Sequence, residues 1–334
     1  MNEADRVNDA AKRLQYLVST GELNDDDAAT AVLCYRRLLH PLRLAIFGTN
    51  PKHALQLLNL LAGQALVPPF LGQVHVHVVY SEQPYAEIQF GNGNNKRIEG
   101  NDFREIFVDN PVRAKLGVPV PLLQKVAFLV TANPDSAELC IGAARALSPC
   151  DIVIWAGEEL DERMADTWFN MPRKIQDHSY LVLSQSSDDS SWASVRDEFV
   201  NVHMVDARAA QAAKSRKGGV DKAAFRNSGG AAIVKDIKRE IEHLRVSAFD
   251  GAEFILTRHN VPEASDLPEF EPPKFALESK AKSRPRRISV PLDVKFETSA
   301  NTPDRPDAEV VKITPRRVSK DADETRPTPW SLGL

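Results

Sequence analysis

Cysteine is scarce in this 334-residue sequence, with only Cys34, Cys140 and Cys150, and these form neither a CxxC pair nor a cluster with histidine. That excludes a disulfide framework and a sequence-local zinc site, and it points to reduced, buried thiols in a cytoplasmic protein. Long hydrophobic runs are missing as well. "LRLAIF" and "DIVIWAG" fall far short of the ~18–20 apolar residues that span a bilayer. The opening "MNEADRVNDAAKRL" mixes both charge signs and lacks the apolar centre of a signal peptide. No excess of one charge is present either. With a net charge of −4, nothing global argues for nucleic acid or an anionic membrane, and a membrane role is expected only through a partner. What remains is ordinary globular material: 43% hydrophobic residues in a chain long enough for a sizeable core.

The composition changes near residue 260. Half of the 22 prolines lie from Pro262 onward, among scattered charges and few large apolar residues. Such a segment buries too little surface to offset its ordering entropy, so residues 261–334 are expected to form a disordered, proline-rich tail. Within it "RPRRISVP" and "TPRRVSK" repeat one short pattern, and "PTPWSLGL" closes the chain. Arg286, Arg287, Arg316, Arg317 and Trp330 are therefore candidate tail interaction residues, set against a purely solubilising extension.

At the other end, Val7, Ala11, Leu14, Leu17 and Val18 recur at helical spacing. A second helix can start at Asn24 or Asp25, carry Ala28, Val32, Tyr35 and Leu39 on one face, and stop at Pro41. Residues 1–40 thus read as a helical hairpin. Strand and helix patterns then alternate over residues 41–260. "VHVHVVYS" and "YAEIQFG" suggest a hairpin turning at "SEQP"; "QKVAFLVTA", "CDIVIWAG", "SYLVLSQ" and "FVNVHMV" read as further strands. Helices are expected over residues 136–147 and 158–169, with Glu158 to Glu162 as a solvated start, and in the long "SGGAAIVKDIKREIEHLRVSAF". Apolar strands separated by amphipathic helices imply an α/β fold, a mainly parallel sheet with helices on both faces.

"AIFGTNPKHALQLLNLLAG", residues 45–63, runs from strand through turn into helix. It resembles the first loop and helix of dynamin-like P-loop GTPases, G-x-x-x-x-G-K-S-x-L-x-N-x-L-x-G. Counted from Gly48, the residues Leu57, Asn59, Leu61 and Gly63 keep register. His53 replaces the second glycine, Ala54 the lysine and Leu55 the magnesium-binding hydroxyl. "VPPF" resembles the proline step into the first switch, "VTANPDS" the D-x-P-G turn with Thr131 for its aspartate, and "FRNSGGAAIVKDIKREI" the last helix. In "YLVLSQSSD", Ser184, Gln185 and Ser187 stand for the threonine, lysine and aspartate that read guanine. The resemblance covers roughly residues 42–250, and it implies a GTPase-like fold.

The replacements are costly. A phosphate loop needs glycine to turn its amides inward and lysine for the phosphate charge. Losing the lysine and the hydroxyl removes charge-assisted bonds of roughly 1.5–3 kcal/mol each, about a hundredfold to ten-thousandfold in affinity. Lys52 sits two positions early. No threonine occurs between Thr49 and Thr131 to hold magnesium. Phosphoryl transfer is mostly positioning and charge stabilisation, so little remains for catalysis. The resemblance therefore implies a pseudo-GTPase with no cofactor, acting as a binding or scaffolding module through protein partners, a dynamin-like GTPase among them. The alternative is an atypical GTPase that takes GTP and Mg through Lys52. His75 and His77 share a strand face and could bind metal, but with no third ligand in sight they read as ordinary strand histidines. Trp155 and Trp168 read as core or interface residues.

Overall fold

The computed structural model describes residues 3–48, 50–67, 75–100, 111–132, 144, 147–184, 193–214, 219–268 and 270. Two helices lead, α1 (Glu3–Thr20) and α2 (Asp25–Leu39). Asn24 caps α2 by accepting from Asp27 N–H at 2.8 Å. Asp25, Asp26 and Asp27 occupy its first turn and Arg36 and Arg37 its last, the charge order that the helix dipole favours.

β1 (Leu42–Gly48) then enters the centre of a mixed sheet. α3 (Pro51–Ala62) follows it. Next come β2 (His75–Tyr80), β3 (Tyr85–Gln89), β4 (Asn95–Glu99), β5 (Arg113–Val118), a short 3₁₀ turn and β6 (Val126–Ala132). Further along are β7 (Ile152–Gly157), α4 (Glu162–Phe169), α5 (Arg173–Gln176), β8 (Ser179–Leu183), α6 (Ala193–Arg196) and β9 (Asn201–Met204). α7 (Ala207–Lys214), α8 (Lys222–Asn227) and the 29-residue α9 (Gly230–Arg258) complete the described elements.

Among the described residues the nine strands run in the order β4-β3-β5-β2-β6-β1-β7-β8-β9. The block β6-β1-β7-β8-β9 is parallel throughout. β2 meets β6 antiparallel and pairs in parallel with β5. Alternation along β1 divides its side chains between two cores. Leu42, Leu44 and Ile46 join the leucines of α3 and the isoleucines of α9. Ala45 and Phe47 join Trp155, Met164 and Trp168. Both faces of the parallel block are thus covered, and the mainly parallel α/β architecture is as the strand patterns imply.

Three expectations need correction. β2 and β3 do not form a hairpin: β5 lies between them, and β3 turns back into β4 instead. The packed chain also continues past residue 260. Val261 is buried in the helical core, and Leu267 and Phe270 lie against α1 and its cluster. The helix expected at 158–169 begins only at Glu162, where Asp161 caps it by accepting from Met164 N–H at 2.7 Å. Of the helix expected at 136–147, Ala144 and Leu147 alone are described; the tail from residue 271 lies outside the described residues.

Leu57, Asn59, Leu61 and Gly63 all help to build this frame. Leu57 and Leu61 are core residues. Asn59, also buried, accepts from Leu66 and Val67 N–H at 2.8 and 3.1 Å and donates to Val67 O at 2.7 Å. Gly63 ends α3 at φ 81°, a left-handed cap that side chains resist. None of the four needs a nucleotide to account for it.

Candidate functional site

In the parallel block the chain leaves β1 towards β6 on one side and reaches β7 on the other. The crevice at the carboxyl ends of β1 and β7 is therefore the topological switch point, where open α/β sheets take ligands. β2 runs against β6, which brings its first residue, His75, to this same edge of the sheet.

The turn at the end of β1 is governed by Asn50 and Pro51. Asparagine at the cap followed by proline in the first helical position is a strong start signal, and it begins α3 two residues before His53. Asn50 Oδ1 accepts from Lys52 N–H at 3.0 Å, and Asn50 O accepts from His53 and Ala54 N–H at 3.1 and 3.2 Å. The amides that a phosphate loop would turn towards its ligand are thus taken by one residue of the chain itself. The signal for this control is "NPKH", an asparagine cap followed by proline at the first helical position.

Gly48 is explained by close approach. A Cβ there would stand 3.0 Å from Ala156 O and 3.2 Å from the Ala54 Cβ. Ala54 and Leu55, at the lysine and hydroxyl positions, are both fully buried in the core beneath α3. Lys52 is exposed. The His53 ring is three-quarters buried, with Nε2 3.7 Å from Glu158 Oε1; Asn50 Nδ2 donates to that same oxygen at 3.3 Å. His53 Nδ1 is buried without a hydrogen-bond partner among the described residues.

His53 and Ser184 line one cleft together with Gln56, Gly157 and Asp206, three residues that motif comparison does not single out. Its free volume is about 60 Å³, room for a few waters and well below the ~300 Å³ at which small-molecule sites begin. Gln185 and Ser187 fall outside the described residues.

Thr131 and His75 form a separate pair. Thr131 is buried, and its Oγ1 lies 2.7 Å from His75 Nδ1. Burial, then the Arg113 charge, holds the His75 imidazole below its ordinary pKa. Burial pushes His77 down to about 4, helped by Arg113, Lys115 and Arg43. Both rings are neutral at pH 7. Among the described residues no group of three or more His, Cys, Asp or Glu side chains comes together as a metal site. Trp155 and Trp168 are buried, 5.3 Å apart edge to face, and each indole N–H has a partner, Ser179 and Glu198.

No protein-family model and no curated protein matches this chain. Among solved structures, an oligomerised bacterial dynamin pair, described as a mechanism for long-range sensing and tethering of membranes, aligns over 74% of this chain and 42% of its own at 13% identity and TM-score 0.48. LeoA, a bacterial dynamin GTPase from ETEC, aligns over 78% and 48% at 11% identity and TM-score 0.36. Era in complex with MgGDPNP and a 16S ribosomal RNA segment aligns over 59% and 57% at 12% identity and TM-score 0.29. The chain spans less than half the length of these bacterial dynamins. Likeness at this level assigns neither a family nor an activity.

Proposed function

We propose that this chain is a non-catalytic, GTPase-like binding module that works through protein partners. The observation that carries this reading is the occupation of the Lys52, His53 and Ala54 amides by Asn50. Phosphate binding at such a loop depends on free amides turned inward. Here a ligand would have to displace a helix cap, and the positions of the lysine and the hydroxyl are apolar and buried. The face formed by the start of α3 at His53 and by β2 at its first residue, His75, is the proposed partner surface, with a GTPase of similar fold as one candidate. The tail residues Arg286, Arg287, Arg316, Arg317 and Trp330 are proposed as a second, separable surface. No helix among the described residues is long and apolar enough to cross a membrane, and membrane contact is proposed only through a partner, in the cytoplasm.

A second reading, an atypical GTPase, draws support from the position of the cleft at the switch point and from the exposed Lys52 near it. One experiment separates the two. Purified protein is melted with and without GTP and magnesium, and phosphate release is followed in parallel. A binding module shows no magnesium-dependent rise in melting temperature, since only a ligand of the folded state stabilises it, and no turnover above background. Turnover that disappears in Lys52→Ala would establish the atypical enzyme instead.

A further inference from the structure

The two edge strands of the sheet differ in chemistry. β4, "NKRIE", closes one side and carries Lys96, Arg97 and Glu99, the charged side chains with which proteins keep an open edge from pairing. β9, "NVHM", closes the other and carries no lysine, arginine, aspartate, glutamate or proline. The polar side of β9 is used by α9: Asn201 Nδ2 donates to Asp236 Oδ2 at 2.8 Å, and Nε2 of the buried His203 stands 3.3 Å from the same oxygen. Its other side is apolar. Val202 packs on the Trp155 and Trp168 core, Met204 is 44% exposed, and Val200, just before the strand, is 53% exposed. Val200 N–H donates to Ser179 O at 2.9 Å, so the pairing with β8 already starts there.

We propose that β9 is a self-association edge, at which a second copy of this chain adds its own β9 antiparallel across a two-fold axis. One register satisfies both faces. With Val202 on the axis, opposite its own copy, Val200 of each protomer faces Met204 of the other, and Asn201 faces His203. Residues directly opposed in an antiparallel pair share a face of the sheet, so apolar side chains meet apolar ones and polar meet polar. A slip of one residue would oppose Val202 to His203 and lose that match. This fit of the edge to itself favours a second copy over an unrelated strand, because a two-fold contact uses the same patch on both sides. Gly229 packs against the Met204 carbonyl, where a Cβ would collide with the oxygen. Backbone pairing is therefore confined to residues 200–203, and Met204 contributes its side chain. An edge this short gives a small contact, and small interfaces are weak and sensitive to dilution.

Sedimentation equilibrium on the full chain tests this. A concentration series reaching about 200 µM should show association to twice the 37.0 kDa monomer. Val200→Lys/Met204→Lys sets like charges opposite each other at both ends of the pairing and should weaken association about tenfold. Val200→Lys/Met204→Glu sets opposite charges there and should restore it. Both replaced side chains are exposed, so both variants should melt like the parent. Should either fail to fold, Val202→Cys gives an independent reading: on mild oxidation it should cross-link to its own copy, whereas the parent treated alike should not. A parent that stays monomeric throughout the series would overturn the proposal. So would a dimer that the two lysines leave unchanged or that the opposite charges do not restore, and so would a Val202→Cys chain that forms no cross-link.

Discussion

Thr131 Oγ1 and His75 Nδ1 stand 2.7 Å apart across the antiparallel pair of β6 and β2. One is buried and the other sits at the exposed edge of the sheet, so the hydroxyl gives a partly desolvated ring a partner. The pair gives the buried Thr131 hydroxyl a structural use.

The histidines predict an acid-sensitive fold. Burial is the largest cause holding His75, His77 and His203 below their ordinary values; neighbouring cations add to it at the first two, while Asp236 opposes it at His203. A base whose folded pKa is depressed binds its proton more readily in the unfolded chain. Its stabilising contribution is complete above the unfolded value of about 6.5 and is lost as pH falls towards the folded value. For His77 that window extends down to about 4. The urea midpoint should therefore fall between pH 7.5 and 5.5, with His77 alone contributing about 1 kcal/mol. His77→Gln should flatten part of this slope; a midpoint independent of pH in this interval would refute the neutral-ring assignment.

Asp151 predicts where the leading helices are fastened to the sheet. Its carboxylate is 1% exposed and accepts from Arg36 Nη2 at 2.5 Å, Arg37 Nε at 2.9 Å and Arg43 N–H at 2.9 Å. Removing one side of a buried pair strands the other charge, typically at about 3 kcal/mol. Asp151→Ala should lose about that much by denaturant titration. Replacing both arginines by methionine should cost at least as much, because it strands the buried carboxylate with the Arg43 amide as its one remaining partner among the described residues. If Asp151→Ala were neutral, the clamp would be decorative.

Asn59 supplies a prediction about the persistent motif. It answers three backbone groups of Leu66 and Val67 while buried. Asn59→Leu should cost about 2–3 kcal/mol, since it leaves buried amides unpaired, and should change nothing in partner binding through the tail. A variant as stable as the parent would show that the loop finds other partners.

The parts of this fold that could be read from sequence were those with a single dominant signal. Asn24, Pro41 and the glycine turn before α9 marked helix ends through backbone preferences that tertiary contacts did not override here. Apolar strands at the centre of the sheet announced themselves by composition. β5 did not, although Ala114 and Leu116 face the core while Arg113 and Lys115 face out; the charges on its open face masked a period of two. β4, "NKRIE", is an edge strand with one half-buried residue and almost no apolar signal. The β2–β3 hairpin was a misreading of proximity in sequence as pairing, because nothing local shows that a later strand will insert. Of the site, the apolar Ala54 and Leu55 were visible as letters. That Asn50 would absorb the amides was visible only as a cap, and the cleft residues Gln56 and Asp206 had no motif to betray them.

The last prediction concerns rebuilding the loop. The triple change His53→Gly, Ala54→Lys and Leu55→Ser restores the letters of a phosphate loop at positions where this chain has other uses for them. Leu55 is buried among the core leucines of α3, and a serine there would lose about 2–5 kcal/mol of packing. A lysine at position 54 would start from a Cβ that already lies 3.2 Å from the place of a Cβ on Gly48, and its ammonium would need a way out of an apolar core. Asn50 and Pro51 would still begin the helix early and hold the first amides. The triple variant should therefore melt well below the parent and gain neither magnesium-dependent GTP binding nor turnover. Adding Asn50→Gly and Pro51→Gly, which removes the cap and the proline that set the early start, is the change that addresses the amides. Binding recovered by the triple variant alone, measured as a GTP-dependent thermal shift, would show that the missing side chains rather than the occupied amides keep nucleotide out.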